Sequence, residues 1–284
     1  MTQTIEANPA IEAFLEKHQS INAMPESSIR IMRHMRDPDC DMNQLLRLIK
    51  QDAALSARIM KAVNSAFYAL QTKITQLDRA VVFMGLKAVK EVVISSAMQA
   101  LCNPVPIGKY SARDLWDHSV GVAVLSRELA VRSKTIDSED AFLVGMLHDV
   151  GLLLAAQCEI DKSAKLFLAA EAKKFPFSMV EQKLFNFDHC ELGTRLAEAW
   201  RFPEDVSAVI RWHHKPEQAP ETIRRLCTHV FISDTLCTAA AIGFPLTCAM
   251  QEVTDERLAE VGLTRAMATE VTDKLKILVR LHMH

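Results

Sequence analysis

The stretch AFLVGMLHDVGLLLAAQ, residues 141 to 157, constrains this chain more than any other. It is nearly unbroken hydrocarbon, yet its centre carries an imidazole and a carboxylate side by side, His148 and Asp149. A segment this apolar belongs in a core, where an unpaired carboxylate costs several kcal/mol. The pair therefore needs polar partners, a metal or a path to water. The run is also short for a bilayer and interrupted by charge, so no membrane span is expected.

Composition narrows the class. With 284 residues, 49% apolar and 24% charged, the chain can bury a large core and has an ordinary globular balance. Only 8 Gly and 2 Tyr, among many Ala, Leu, Met, Glu and Lys, favour helix over sheet. Net charge is −2 with no dense basic run, so nucleic acid is not an expected partner. The start, MTQTIEANPAIEAF, lacks the basic-then-apolar order of a signal peptide. The 7 Cys are odd in number, scattered and never C-x-x-C. Reduced thiols in a cytoplasmic protein are expected, and a cysteine-based zinc site is not.

Helical periodicity recurs along the chain. Residues 42–50 and 52–66 follow the turn DPDCD, and TQLDRAVVFM and LKAVKEVVISSAMQAL are parted by Gly85. The segment 102–111, CNPVPIGKYS, reads as a linker. Ser111 with Asp114 then opens a helix through a capping box, and 141–157 reads as one further helix. DKSAKLFLAAEAKK follows, and Ser178 with Glu181 and Asp188 with Glu191 mark two more starts. Pro203 stands at a first-turn position, a long helix covers 221–241, and a last one runs from Thr264. No strand is expected. The predicted fold is all-α, a two-lobed helical bundle, with lobes at 1–105 and 106–245 and an extension at 246–284. Asn64, Ser65, Phe67 and Tyr68 are read as a helix end bracing the lobe interface. The apolar last helix, Ala266 to Leu281, suits either packing on the second lobe or a dimer contact.

Candidate partners for His148 and Asp149 sit in separate helical contexts: His118, His189, His213, His214 and Asp234. Taken singly, each His reads as an ordinary hydrogen-bonded core histidine. His213-His214 beside Lys215-Pro216 reads equally as a solvated helix end, and Asp234 as a cap or an Arg partner. Asp114 is better explained by its capping box than by a metal. Jointly the set suits a divalent ion held by several helices of one bundle. His18, His34, His229, His282 and His284 lack such contexts; His229 lies about 140° round a helix from Asp234.

In their order, His118, His148-Asp149 and Asp234 resemble the HD superfamily of metal-dependent phosphohydrolases. More closely, the chain resembles the HDOD family, through AMPESSIRIM, IKQDAALSARIMKAVNSAFY, ITQLDRAVVFMGLKAVKEVV, LWDHSVGVAVLSRELA, EDAFLVGMLHDVGLL, FDHCELGTRLAEAW and VSAVIRWHHKPEQAP. The resemblance implies that the 106–245 lobe is HD-type. It implies that His118, His148, Asp149 and Asp234 hold a first metal, and His189, His213 and His214 a second, with Asp149 bridging. One or two divalent ions are implied, from iron, manganese, zinc, nickel and magnesium.

Two departures bear on function. Cyclic-di-GMP-cleaving relatives continue the His-Asp motif with Gly-Lys, whereas here Gly151 is followed by Leu152. They also carry Gly-Tyr-Pro after the paired His, and here the sequence is WHHKPEQAP. Two readings follow. One is a stand-alone regulatory module that relays signals to a protein partner, which the lost Lys ranks first. The other is a metal-dependent phosphohydrolase acting on a phosphoester or nucleotide through metal-activated water.

Overall fold

The computed structural model describes residues 8–18, 24–35, 40–65, 68, 70–103 and 105–283, with side chains to 279. Phe67 lies outside the described residues. The fold is all-α, as the periodicity predicts. Helices α1 (Pro9–Lys17), α2 (Glu26–Met35), α3 (Met42–Lys50), α4 (Ala53–Val63) and α5 (Leu77–Leu101) form the first part. Gly85 interrupts α5 at φ 76°, ψ 164°, a conformation that other residues resist. Asn64 ends α4, and its amide joins Met60 O at 2.9 Å and Ile74 O at 2.8 Å.

The second part holds the apolar segment. It comprises α6 (Ala112–Ser133), α7 (Ser138–Leu147), α8 (Val150–Cys158), α9 (Ile160–Glu171), α10 (Phe177–Phe185), α11 (His189–Ala199), α12 (Glu204–Trp212) and α13 (Glu221–Ala239). Short α14 (Asp255–Glu260) and long α15 (Arg265–Met283) follow. Capping boxes start α6 and α11 where the sequence places them. Ser111 N donates to Asp114 Oδ2 at 2.8 Å, and Glu191 N to Asp188 Oδ1 at 2.8 Å.

Several expectations give way. The 141–157 helix is two helices, because Asp149 (φ −102°, ψ 19°) leaves the helical region and breaks it at His148-Asp149. Apolar periodicity cannot register such a break, since both halves are buried on all sides. The 102–111 linker contains a two-residue antiparallel ribbon, Pro106–Ile107 with Tyr110–Ser111, too short for an alternating pattern to betray. Ser178 does not open α10; Pro176 precedes it and Glu181 is buried inside. Pro203 is the cap of α12 rather than its first turn.

α1, grouped by sequence with the first lobe, lies instead on α11. Phe14 meets Phe187 edge-on at 5.4 Å, and Arg195 pairs with Glu12 at 2.6 Å. α15 packs on α6, burying Val271, Leu275 and Val279. By length and composition the span 138–158 suffices to cross a membrane, but 94% of its apolar window is buried within the fold. It is a core segment. Its eight buried apolar side chains from Leu143 to Leu154, each giving ~1.5–3 kcal/mol, supply roughly 12–24 kcal/mol, an upper figure. That offsets the several kcal/mol needed to bury the two polar groups.

Where α5, α6 and α7 meet, Arg127 pairs with Glu91 at 2.7 Å, and Glu139 lies beside them. Burial, reinforced by Glu91, raises the Glu139 carboxyl to about 7. A carboxyl raised in the folded state favours folding while protonated. Its contribution is therefore full below the ordinary pKa of 4.5 and lost as pH climbs through about 7. Denaturant unfolding from pH 4.5 to 8 is expected to show stability falling in this window, and Glu139→Gln to flatten the fall. An unchanged pH profile in that variant would refute the assignment.

Candidate metal centre

Every histidine and aspartate singled out around His148 arrives at one place. His118 comes from the middle of α6 and Asp234 from the middle of α13, while His148 and Asp149 occupy the break between α7 and α8. His189 opens α11, and His213 and His214 follow α12. The side chains of His118, His148, His189, His213 and Asp234 are fully buried; Asp149 is 3% exposed and His214 11%. His214 thus forms the side facing the surface.

The backbone break has a direct effect. Asp149 turns Oδ2 toward His148 Nε2 at 3.3 Å and Oδ1 toward His189 Nε2 at 3.4 Å and His213 Nε2 at 3.6 Å. Its two oxygens therefore face two different groups of imidazoles. On the first side Asp234 Oδ1 lies 2.9 Å from His118 Nε2 and 3.9 Å from His148 Nε2. On the second, His189 Nε2 and His214 Nε2 stand 3.0 Å apart. Subsets of three of these donors, such as His118, His148 and Asp149, lie within 4.8 Å of one another.

Four of the five imidazoles are oriented from behind. Nδ1 of His118 donates to Ile242 O at 3.1 Å, of His148 to Gly145 O at 2.7 Å, and of His213 to Ile210 O at 2.8 Å. His189 Nδ1 donates to Glu181 Oε2 at 2.6 Å. Each bond fixes the tautomer that presents an Nε2 lone pair to the shared space, the arrangement found behind metal-bound histidines. Nε2 of His148, Nε2 of His213 and both Asp149 oxygens are buried with no hydrogen-bond partner among the described residues. Such groups cost about 1–3 kcal/mol each when unsatisfied. A divalent cation would satisfy them together, so the residues fit one, and imidazole with carboxylate suits iron, manganese, zinc or nickel.

Electrostatics point the same way. Burial works to raise Asp149, but His148 beside it prevails and holds the carboxyl well below its ordinary range. Asp234 is likewise lowered against burial, chiefly by His118. Burial opposes charge on His213, yet Cys190 and Asp149 push it up to about 10. His214 goes the other way: burial and the neighbouring His213 keep it neutral. The cluster therefore keeps two buried anions beside imidazoles that are held in the charged form, positive charge that a bound cation would take over.

Sequence reasoning missed four polar neighbours. Glu181 resembles a cap residue by its spacing from Ser178, and only the packing of α10 on α11 shows it behind His189. Cys190 Sγ lies 3.4 Å from His189 Nε2 and Cys248 Sγ 2.8 Å from Asp234 Oδ2, so two thiols border a cluster for which none was expected. Gln251 Nε2 lies 3.3 Å from His214 Nδ1. Of these only Cys190, adjacent to His189, had a signal in the sequence. His229 is correctly outside; it bonds the hydroxyls of Ser133 and Thr135 at 3.2 Å. Asp114 is occupied by its capping box. Glu181→Gln is expected to weaken divalent-metal affinity ~10–100-fold by freeing the His189 ring. Competitive metal titration of the variant against a chromophoric chelator reads this directly.

Residues 21–216 match the model of the HDOD domain. This chain belongs to the HDOD family. An uncharacterized protein of Treponema pallidum is 25% identical over 217 residues, 76% of this chain and 42% of the relative. The cyclic di-GMP phosphodiesterase CdgJ of Vibrio cholerae is 23% identical over 206 residues, 64% of this chain and 46% of that protein. The chain thus spans less than half the length of these curated relatives. An HDOD domain protein of unknown function from Geobacter sulfurreducens superposes with TM-score 0.74 at 22% identity, covering 95% of this chain and 97% of the other. A Shewanella amazonensis protein provisionally named a phosphohydrolase superposes with TM-score 0.72 at 21% identity, over 95% and 96% of the two chains. These likenesses establish a shared HDOD fold.

Proposed function

We propose that this HDOD protein holds a divalent metal centre on His118, His148, Asp149, His189, His213, His214 and Asp234 and hydrolyses a phosphate ester there. The observation that carries the reading is the set of four Nδ1 bonds, which commit His118, His148, His189 and His213 to present Nε2 toward Asp149 and Asp234. Imidazoles kept only for packing would not need one common tautomer.

When bound, a divalent ion lowers the pKa of coordinated water toward neutrality and polarises a phosphoryl oxygen. The residues supply the rest. Asp149, facing both groups of imidazoles, and Asp234 provide the anionic charge that retains a cation. Glu181 and the carbonyls behind the rings keep the imidazoles from turning. His214, neutral and at the exposed side, offers its lone pair to a cation from the solvent side.

A second reading, a cytoplasmic regulatory module acting on a signalling partner, is favoured by one observation. Leu152, where hydrolytic relatives carry Lys, is 1% exposed and part of the core, so α8 brings no cation to the site. Metal analysis of the purified protein, with turnover of a phosphoester and nucleotide panel under added manganese or iron, separates the readings. One or two ions per chain with turnover is expected. An ion-loaded chain inert toward the whole panel favours the module. A metal-free chain whose Tm ignores chelators would sink the centre. Cyclic di-GMP belongs in the panel because the Vibrio relative is named for it; Leu152 and the Lys215-Pro216 continuation predict no turnover of it.

A further inference from the structure

The centre opens to solvent through a groove between the turn before α10 and the loop after α13. Phe175, Phe177, His214, Lys215, Thr247 and Met250 are among its walls. The chemistry of this lining is selective. It contains no carboxylate, and Lys215 is its one permanent charge. Nearby arginines are engaged elsewhere: Arg211 with Glu191 at 3.4 Å and Arg257 with Glu217 at 2.7 Å. Lys215 is exposed and makes no ion pair among the described residues.

Two further features mark the groove as a ligand site. Ser178 and Gln251, both half-buried, line it with further uncharged polar side chains. At the rim, Phe175 and Met250 are 58% and 52% exposed and bring apolar surface to the same groove as Lys215. A flat ring, a pliable thioether and a cation in one groove suit an apolar body with an anionic head.

We propose that this groove binds a phosphate monoester with a flat apolar organic group. Lys215 holds the phosphate head, and Phe175 and Met250 grip the body. The inference rests on the phosphohydrolase reading and deepens it. It places the phosphate-neutralising charge, absent at Leu152, one residue beyond His214, so the cation enters from the end of α12 rather than from α8. A lining without carboxylates suits a dianion, which would be repelled by any acid at the mouth.

The test uses the full metal-loaded chain and two non-hydrolysable probes, phenylphosphonate and methylphosphonate, which share the head and differ in the body. By isothermal titration calorimetry the wild type is expected to bind phenylphosphonate on the order of tenfold more tightly than methylphosphonate. Phe175→Ala and Met250→Ala should erase that preference. Lys215→Gln should weaken both probes by about tenfold and leave the preference intact. All three residues are at the surface, so their variants should fold, which circular dichroism checks. Equal affinity of the wild type for both probes, or Lys215→Gln binding like the wild type, overturns the inference. Metal analysis of the same samples keeps the two readings apart. An ion-free wild type overturns the centre itself, whereas an ion-loaded chain indifferent to Lys215→Gln overturns only the groove.

Discussion

Asp149→Asn is expected to abolish both metal retention and turnover while leaving the fold in place. Asparagine has the volume of aspartate, so the packing around the break between α7 and α8 should persist. What goes is a buried charge whose two oxygens lie 3.3–3.6 Å from three imidazoles. Losing an orienting partner behind a ligand costs ~10–100-fold in metal affinity, and losing a ligand facing both groups of rings should cost more than about a hundredfold. Thermal unfolding gives a second readout. Metal at a hundred times its Kd stabilises the wild type by ~2.7 kcal/mol, or about 5–10 °C in Tm at this chain size. The variant should show no such rise. A variant that keeps its ion and the metal-induced shift would remove Asp149 from the centre.

Gly151→Ala should be a severely damaging single-methyl change near the site. A Cβ there would lie 2.1 Å from His189 O and 2.6 Å from Gly193 N, both backbone atoms of α11. Neither can rotate away, so α8 and α11 must separate, and His189 at the start of α11 moves with them. Overpacking costs ~1–3 kcal/mol where side chains can adjust, and here they cannot, so a loss of about 3 kcal/mol or more is expected. At this size that is a drop of roughly 6–12 °C in Tm, with weakened metal binding. Gly85→Ala provides the contrast. Nothing lies within 4 Å of its new methyl, and only the backbone, at φ 76° and ψ 164° in a region almost confined to glycine, resists it, at about 1–3 kcal/mol. Equal losses at the two glycines would refute the close crossing of α8 and α11.

The legible and illegible parts of this protein divide along a physical line. Capping boxes at Ser111 and Asp188 and the interruption at Gly85 were readable because they are local: a few consecutive residues satisfy their own backbone groups. The short α14 and the ribbon at Pro106–Ile107 escaped because neither contains enough residues for a period. Glu181 was misread because a carboxylate three residues after a serine has the same pattern whether it caps a helix or is buried beneath a neighbouring one.

The amino-acid order by itself determined that the chain is helical, that 141–157 is core, and that His148 and Asp149 must find partners there. Burial of charge is expensive wherever it occurs, and that demand needs no coordinates. Only the tertiary structure decided how it is met. The turn at Asp149 aims its two oxygens at separate imidazoles, Glu181 and three carbonyls select one tautomer for four rings, and Cys190 and Cys248 border the cluster. It also brought Lys215 into one groove with Phe175 and Met250. These are contacts between elements distant in the chain. Their geometry depends on helix crossings such as that of Gly151 with Gly193, which no local pattern encodes.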